Sequence, residues 1–290
     1  MRIWLVRTCC LVYLFGSTTA FAQADLTEMV TFGDSLTHND LLGWAYGQPQ
    51  DMYGEDPMEA VFSKGSEGDE RLNSYAIGGS ESGDVALQID VYWFLRLIKA
   101  QREATLFGFQ IGGNDVLNNI ELLAASMPGE NPLADSVIDD IIENMRDDLT
   151  DLRRSHPDAQ FVIWTVPDVT VTPDRWFDLT DIEAENVRAH VERANHAIRR
   201  AARLPFVVVV DLFTVGQQFV SNPPVIFGQQ LVPPPSYGGY DHIFADEIHP
   251  TAVSNAFLAN VIINQINVKW NDDIPQYTEE ELADLAHIPY

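Results

Sequence analysis

Apolar residues along the chain fall into two alternating patterns. Met29–Phe32, Leu72–Ile77, Ala104–Ile111, Gln160–Val166 and Phe206–Leu212 are short apolar runs, most of them closed by Gly or Pro. Phe206–Leu212 (FVVVVDL) is almost unbroken and β-branched, as expected of a strand buried on both faces. Between these runs, Asp84–Ala100, Asp135–Arg154, Thr180–Arg203 and Thr251–Ile266 carry apolar residues at helical spacing. The alternation predicts a five-stranded parallel sheet between two helical layers, a three-layer α/β/α sandwich with function at the carboxyl edge of the strands.

Two stretches break the alternation. Residues 38–71 are polar and Gly-rich, dotted with Trp44, Tyr46, Tyr53 and Phe62, and residues 214–244 hold Pro223-Pro224, Pro233-Pro234-Pro235 and Gly238-Gly239. Long structureless segments in a compact domain are commonly binding loops, so both are expected to wall the site. Residues 1–22 differ again: Arg2 and Arg7 precede the apolar run Cys9–Phe15, and Ala20-Phe21-Ala22 offers a small-residue cut site. This is a secretory pattern, with an apolar run too short to span a bilayer. The expectation is a signal cleaved near Ala22, a single mature domain over 23–290, and export to the periplasm or the medium without stable membrane insertion.

Composition narrows the chemistry. Both cysteines lie inside the signal, so the mature chain forms no internal disulfide and has no thiol nucleophile. With 17 Lys and Arg against 43 Asp and Glu, the formal charge of −26 repels phosphate backbones and argues against nucleic acid as a partner.

What chemistry remains lies where strands end. Gly33-Asp34-Ser35 places a serine in a tight turn after the first strand, where a following helix would add its positive end. Gly78-Gly79 ends the second strand. Ile111-Gly112-Gly113-Asn114-Asp115 follows the third, with the Asn114 amide as a neutral oxyanion donor and Asp115 as a helix cap. Asp246-Glu-Ile-His249-Pro250 precedes the last helix: three-residue spacing lets the carboxylate orient the imidazole, and Pro250 suits the helix start. His242 beside Asp241 is a rival base, whereas His38, His156, His190, His196 and His287 read as surface or helix-face residues.

Taken in this order, the four segments resemble the conserved blocks of the GDSL, or SGNH, hydrolases over essentially the whole mature chain. Val166-Pro167-Asp168 with Thr172-Pro173 resembles the esterase and lipase branch. The resemblance implies a flavodoxin-like fold, no metal or organic cofactor, Ser35 as nucleophile, His249 as base and Asp246 as its acid. It also implies an oxyanion hole made of the Ser35 N–H, the Gly79 N–H and the Asn114 side chain. Ser74 departs from the family, whose second block often has Asn there. The expected activity is hydrolysis of a carboxylic ester through an acyl-enzyme. The same site would also serve a carbohydrate acetylesterase, a phospholipase, an acyltransferase or, without catalysis, a binding protein.

Overall fold

The computed structural model of the chain describes residues 23–38 and 42–290; the expected signal and its cut near Ala22 lie outside them. Five strands form one sheet: β1 (Glu28–Gly33), β2 (Arg71–Ser74), β3 (Leu106–Gln110), β4 (Gln160–Trp164) and β5 (Val207–Val210). Their order is β2-β1-β3-β4-β5, with all four pairings parallel. Because side chains alternate along a strand, each strand feeds two cores. Val30, Phe32, Phe107, Phe161 and Ile163 point to one face. There they meet α3 (Val85–Leu97), α6 (Pro132–Ser155) and α7 (Asp181–Arg199). Met29, Leu106, Val162, Trp164 and Val208 point to the other face, against α2 (Pro57–Gly65) and α9 (Ala252–Trp270). The three layers and the parallel sheet are those expected from the apolar pattern. Among the described residues, no helix is long and apolar enough to cross a membrane.

The two irregular stretches are less irregular than expected. Residues 38–71 contain α1 (Leu42–Tyr46) and α2. The start of α2 is set by Asp56, whose carboxylate accepts the Met58 and Glu59 N–H groups ahead of Pro57. This helix packs closely on the sheet at Gly108, where a Cβ would come within 3.0 Å of Met58 and of Thr31. Residues 214–244 begin inside α8 (Leu212–Ser221) and then form a small hairpin, β6 (Val225–Ile226) with β7 (Gln229–Gln230). Three short helices complete the chain: α4 (Gly113–Asn118), α5 (Ile120–Ala124) and α10 (Glu279–Leu285).

Candidate active site

The end of β1 is pinned before Ser35 begins. Gly33 has a φ of 145°, and a Cβ there would lie 1.9 Å from the Gln110 carbonyl, so only glycine fits. Gln88 of α3 reaches under the sheet edge, accepting the Gly33 N–H at 2.9 Å and donating to its carbonyl at 2.8 Å. The chain then turns rather than entering a helix: Thr37 N–H donates to the Asp34 carbonyl at 3.1 Å, leaving Ser35 in the turn. The helix expected directly after Ser35 is therefore replaced by this turn. Asp34 faces inward, where burial pushes its carboxyl up to about 6 against the opposing Leu36 N–H.

His249 lies across the cleft. Its Nε2 is 2.9 Å from Ser35 Oγ, and its Nδ1 is 2.9 Å from Asp246 Oδ2. With Nδ1–H donated to the carboxylate, Nε2 is left to accept the serine proton. Burial acts to raise the Asp246 pKa, but the His249 ring and the backbone N–H groups of His249 and Ile248 outweigh it and hold the carboxyl below its usual range. Those two N–H groups both donate to Oδ1 at 2.7 Å. Pro250 lies outside α9, whose cap is Thr251, accepting the Ser254 N–H. Proline thus shapes the approach to the helix instead of occupying its first turn.

The second and third blocks close around the serine. A Cβ on Gly78 would lie 3.8 Å from that of Ser35, and Gly79 turns with φ 83°. Among the described residues, the Ser35 and Gly79 N–H groups donate to no protein acceptor, which leaves both for a ligand. The Asn114 amide donates one hydrogen to the Ser80 carbonyl at 2.9 Å, and Asn114 lines the same cavity as Ser35 and His249. Asp115 does not cap α4; its carboxylate accepts the Ser82 N–H (2.8 Å) and hydroxyl (2.6 Å), tying the two blocks together. Ser74, the departure from the family pattern, donates to the Thr37 carbonyl at 3.1 Å and so keeps the second block joined to the first.

Other histidines divide cleanly. His242 pairs with Asp241 at 2.9 Å and has no contact with Ser35. His156 and His190 are buried instead of lying on the surface: His156 meets Tyr92 Oη at 2.9 Å and Arg96 at 2.7 Å, and His190 meets the Ser126 carbonyl at 3.0 Å.

Two tyrosines join the site without any motif to announce them. Tyr53 is fully buried, and its hydroxyl donates to Asp246 Oδ2 at 2.8 Å, the oxygen that also accepts from His249. Burial and that carboxylate raise its pKa, so the hydroxyl keeps the proton it donates. Tyr46 meets the imidazole edge-on with ring centroids 4.9 Å apart. Both come from the 38–71 stretch, and its Pro57 also lines the cavity together with Gly216, Phe219, Ile243 and Phe244 from 214–244. Trp164, Leu212 and Leu258 add apolar surface to this cavity, and its volume is about 110 Å³. Asp168 of the Val166-Pro167-Asp168 segment supports the wall, accepting from Thr170 Oγ1 (2.6 Å) and Gln217 of α8 (2.7 Å).

The model of the family described as GDSL-like Lipase/Acylhydrolase matches residues 29–262, which spans all four blocks. The chain belongs to this family. As a GDSL hydrolase it acts on ester bonds. Its fold recurs in a variant of an acetyl-xylooligosaccharide esterase from Geobacillus, at 14% identity and a TM-score of 0.53 over 86% of this chain and 98% of that one. An α/β hydrolase from the metagenome of Lake Arreo, Spain, is 17% identical with a TM-score of 0.50, over 85% and 98% of the two chains. At these identities the likeness is one of fold. No curated protein matches the chain in sequence.

Proposed function

We propose that the GDSL hydrolase is a secreted carboxylesterase for short acyl chains, with Ser35 as nucleophile, His249 as base and then acid, and Asp246 as the orienting carboxylate. The observation that carries the reading is the continuous hydrogen-bonded path Ser35 Oγ–His249 Nε2 and His249 Nδ1–Asp246 Oδ2, 2.9 Å at each step. In this reaction Ser35 Oγ attacks the ester carbonyl as its proton passes to Nε2. The negative oxygen that forms is met by the Ser35 and Gly79 N–H groups and the free amide hydrogen of Asn114. The C–O bond to the alcohol then breaks, and His249 returns the proton to the leaving oxygen. Water repeats the sequence on the acyl-enzyme, releasing the acid and restoring Ser35.

Cavity size supports the acyl preference. Its volume of about 110 Å³ is small beside the about 300–1,000 Å³ of ordinary small-molecule sites. The alcohol is assigned to the side of His249 that Tyr46 covers, where that ring is 45% exposed. A half-exposed ring tolerates bulky alcohols while the acyl side selects by length. Export is supported by the arrangement of Arg2, Arg7 and the apolar run before Ala22.

Ser35→Ala tests the assignment. The variant should fold as the parent does and lose cleavage of 4-nitrophenyl butyrate; full activity would overturn the role of Ser35. Amino-terminal sequencing of protein recovered from the medium or periplasm should begin close to residue 23, and an intact start would contradict export by cleavage.

A further inference from the structure

A larger apolar space lies far from the catalytic cleft. Residues of α6, the end of α7, β4 and the start of β5 line a groove of about 530 Å³. Phe161, Ile163 and Phe206 form its floor, with Leu149 and Leu204 on its two walls. No lining residue is shared with the Ser35 cavity. The separation follows from strand geometry: Phe161 and Ile163 face one side of the sheet, whereas Trp164 of the same strand faces the other and lines the Ser35 cavity.

Arginines gather along it on a strongly negative protein. Arg146, Arg153 and Arg200 line the groove, three of the 17 basic residues in a chain of net charge −26. Arg146 is neutralised by Glu143 and Asp147 at 3.1 and 3.0 Å. The other two make no close ion pair, although the Asp158 carboxylate acts on Arg153 from a distance. Arg153 stacks its guanidinium 3.8 Å from the centre of the Phe206 ring and donates to the Ala159 carbonyl. Among the described residues, neither Arg153 nor Arg200 has a carboxylate partner, although acidic side chains outnumber basic ones by more than two to one. Two guanidinium groups without an ion-pair partner beside an apolar trough complement a molecule with one anionic end and a long hydrocarbon body.

We propose that this groove binds a long-chain fatty acid anion, with its hydrocarbon along Phe161, Ile163 and Phe206 and its carboxylate between Arg153 and Arg200. At about 530 Å³ against about 110 Å³ for the Ser35 cavity, the space suits a long chain and not a short one. The volume falls within the range of small-molecule sites, about 300–1,000 Å³. A short carboxylate would leave the floor wet, and a neutral alcohol of equal length would leave the guanidinium groups unmatched. The site is independent of the hydrolase reading, since it shares no residue with the cleft.

Isothermal titration with dodecanoate, kept below its micellar concentration, tests the proposal. One saturable site is expected. Arg200→Glu should weaken it about tenfold or more, and Ala201→Trp, which fills the groove from its wall, should abolish it. Thermal melting of each variant reports folding separately. The arginine is exposed, so Arg200→Glu should melt with the parent and carries the test should Ala201→Trp fold poorly. Dodecanol should bind at least tenfold more weakly than dodecanoate. The proposal is overturned by absence of saturable binding, by affinity indifferent to Arg200→Glu, or by equal affinity for dodecanol. A protein that fails to bind dodecanoate but sediments as a dimer, dissociated by Arg200→Glu, would assign the groove to self-association and also overturn it.

Discussion

Acyl-chain preference can be worked from the cleft itself. In the series of 4-nitrophenyl esters from acetate to decanoate, each added methylene first meets the apolar lining of the Ser35 cavity, which includes Trp164, Leu212, Phe219 and Leu258. Burying one methylene is worth about 0.8 kcal/mol. Two of them, from acetate to butyrate, contribute about 1.6 kcal/mol, or about 15-fold in kcat/KM if the gain is fully expressed in the transition state. The cavity, at about 110 Å³, is small beside the about 300 Å³ or more of ordinary ligand sites, so the gain stops near butyrate to hexanoate and reverses as longer chains are forced out. Phe219→Ala removes part of that lining, where the ring packs edge-on against Phe257 at 5.9 Å. The optimum should then move several carbons longer while the acetate rate changes little. Initial rates at subsaturating substrate give kcat/KM for each ester in both proteins. A parent profile that rises steadily to decanoate, or an optimum unmoved by Phe219→Ala, would refute the assignment of the acyl end.

Three further outcomes are expected from the same framework. Tyr53→Phe removes the hydroxyl that donates to Asp246 at 2.8 Å while keeping the ring; a hydrogen bond to a charged group is worth about 1.5–3 kcal/mol, so kcat/KM should fall about 10- to 100-fold, and an unchanged rate would make the contact incidental. Asn114→Ala should lower kcat about 10²–10³-fold with little effect on KM, and a loss confined to KM would place the amide outside the oxyanion hole. Asp148 on α6 is pushed up to about 7 by burial and by Asp151 and Asp147. Its folded pKa lies above the unfolded value of about 3.9, so the folded state holds a proton that the unfolded chain has lost, and stability declines as pH rises through that window. Asp148→Asn should therefore stabilise the protein by about 1–2 kcal/mol at pH 8, after discounting for partial exposure, and by almost nothing at pH 4. Urea denaturation at the two pH values checks it; an equal effect at both would contradict the assignment.

The sheet was legible because its central strands are short, nearly continuous apolar runs, buried on both faces, that end at residues unable to continue them. Gly33, Gly112 and Pro167 mark three of these ends, and all three flank the cleft. The histidine was legible through its carboxylate, because Asp246 and His249 are close enough in sequence for one turn to join them. Tyr53 was not legible in this way. It reaches Asp246 across 193 residues of sequence, and no spacing rule connects them. Helix α2 stood between these cases: Asp56-Pro57, followed by Met58, Val61 and Phe62 at helical spacing, is a usable start signal hidden in a Gly-rich stretch. The burial of His156 was hidden for another reason. The residue follows the last turn of α6, and only the tertiary contacts with Tyr92 and Arg96 draw it inside.

The central claim is that the Asp246–His249 pair activates Ser35. Reaction with a fluorophosphonate, read by intact mass and peptide mapping, tests it most directly. The account predicts a single phosphonyl adduct on Ser35, formed rapidly in the parent, slowed by orders of magnitude in His249→Ala, and absent in Ser35→Ala. An adduct on another residue, or labelling of Ser35 that is indifferent to His249, would contradict it.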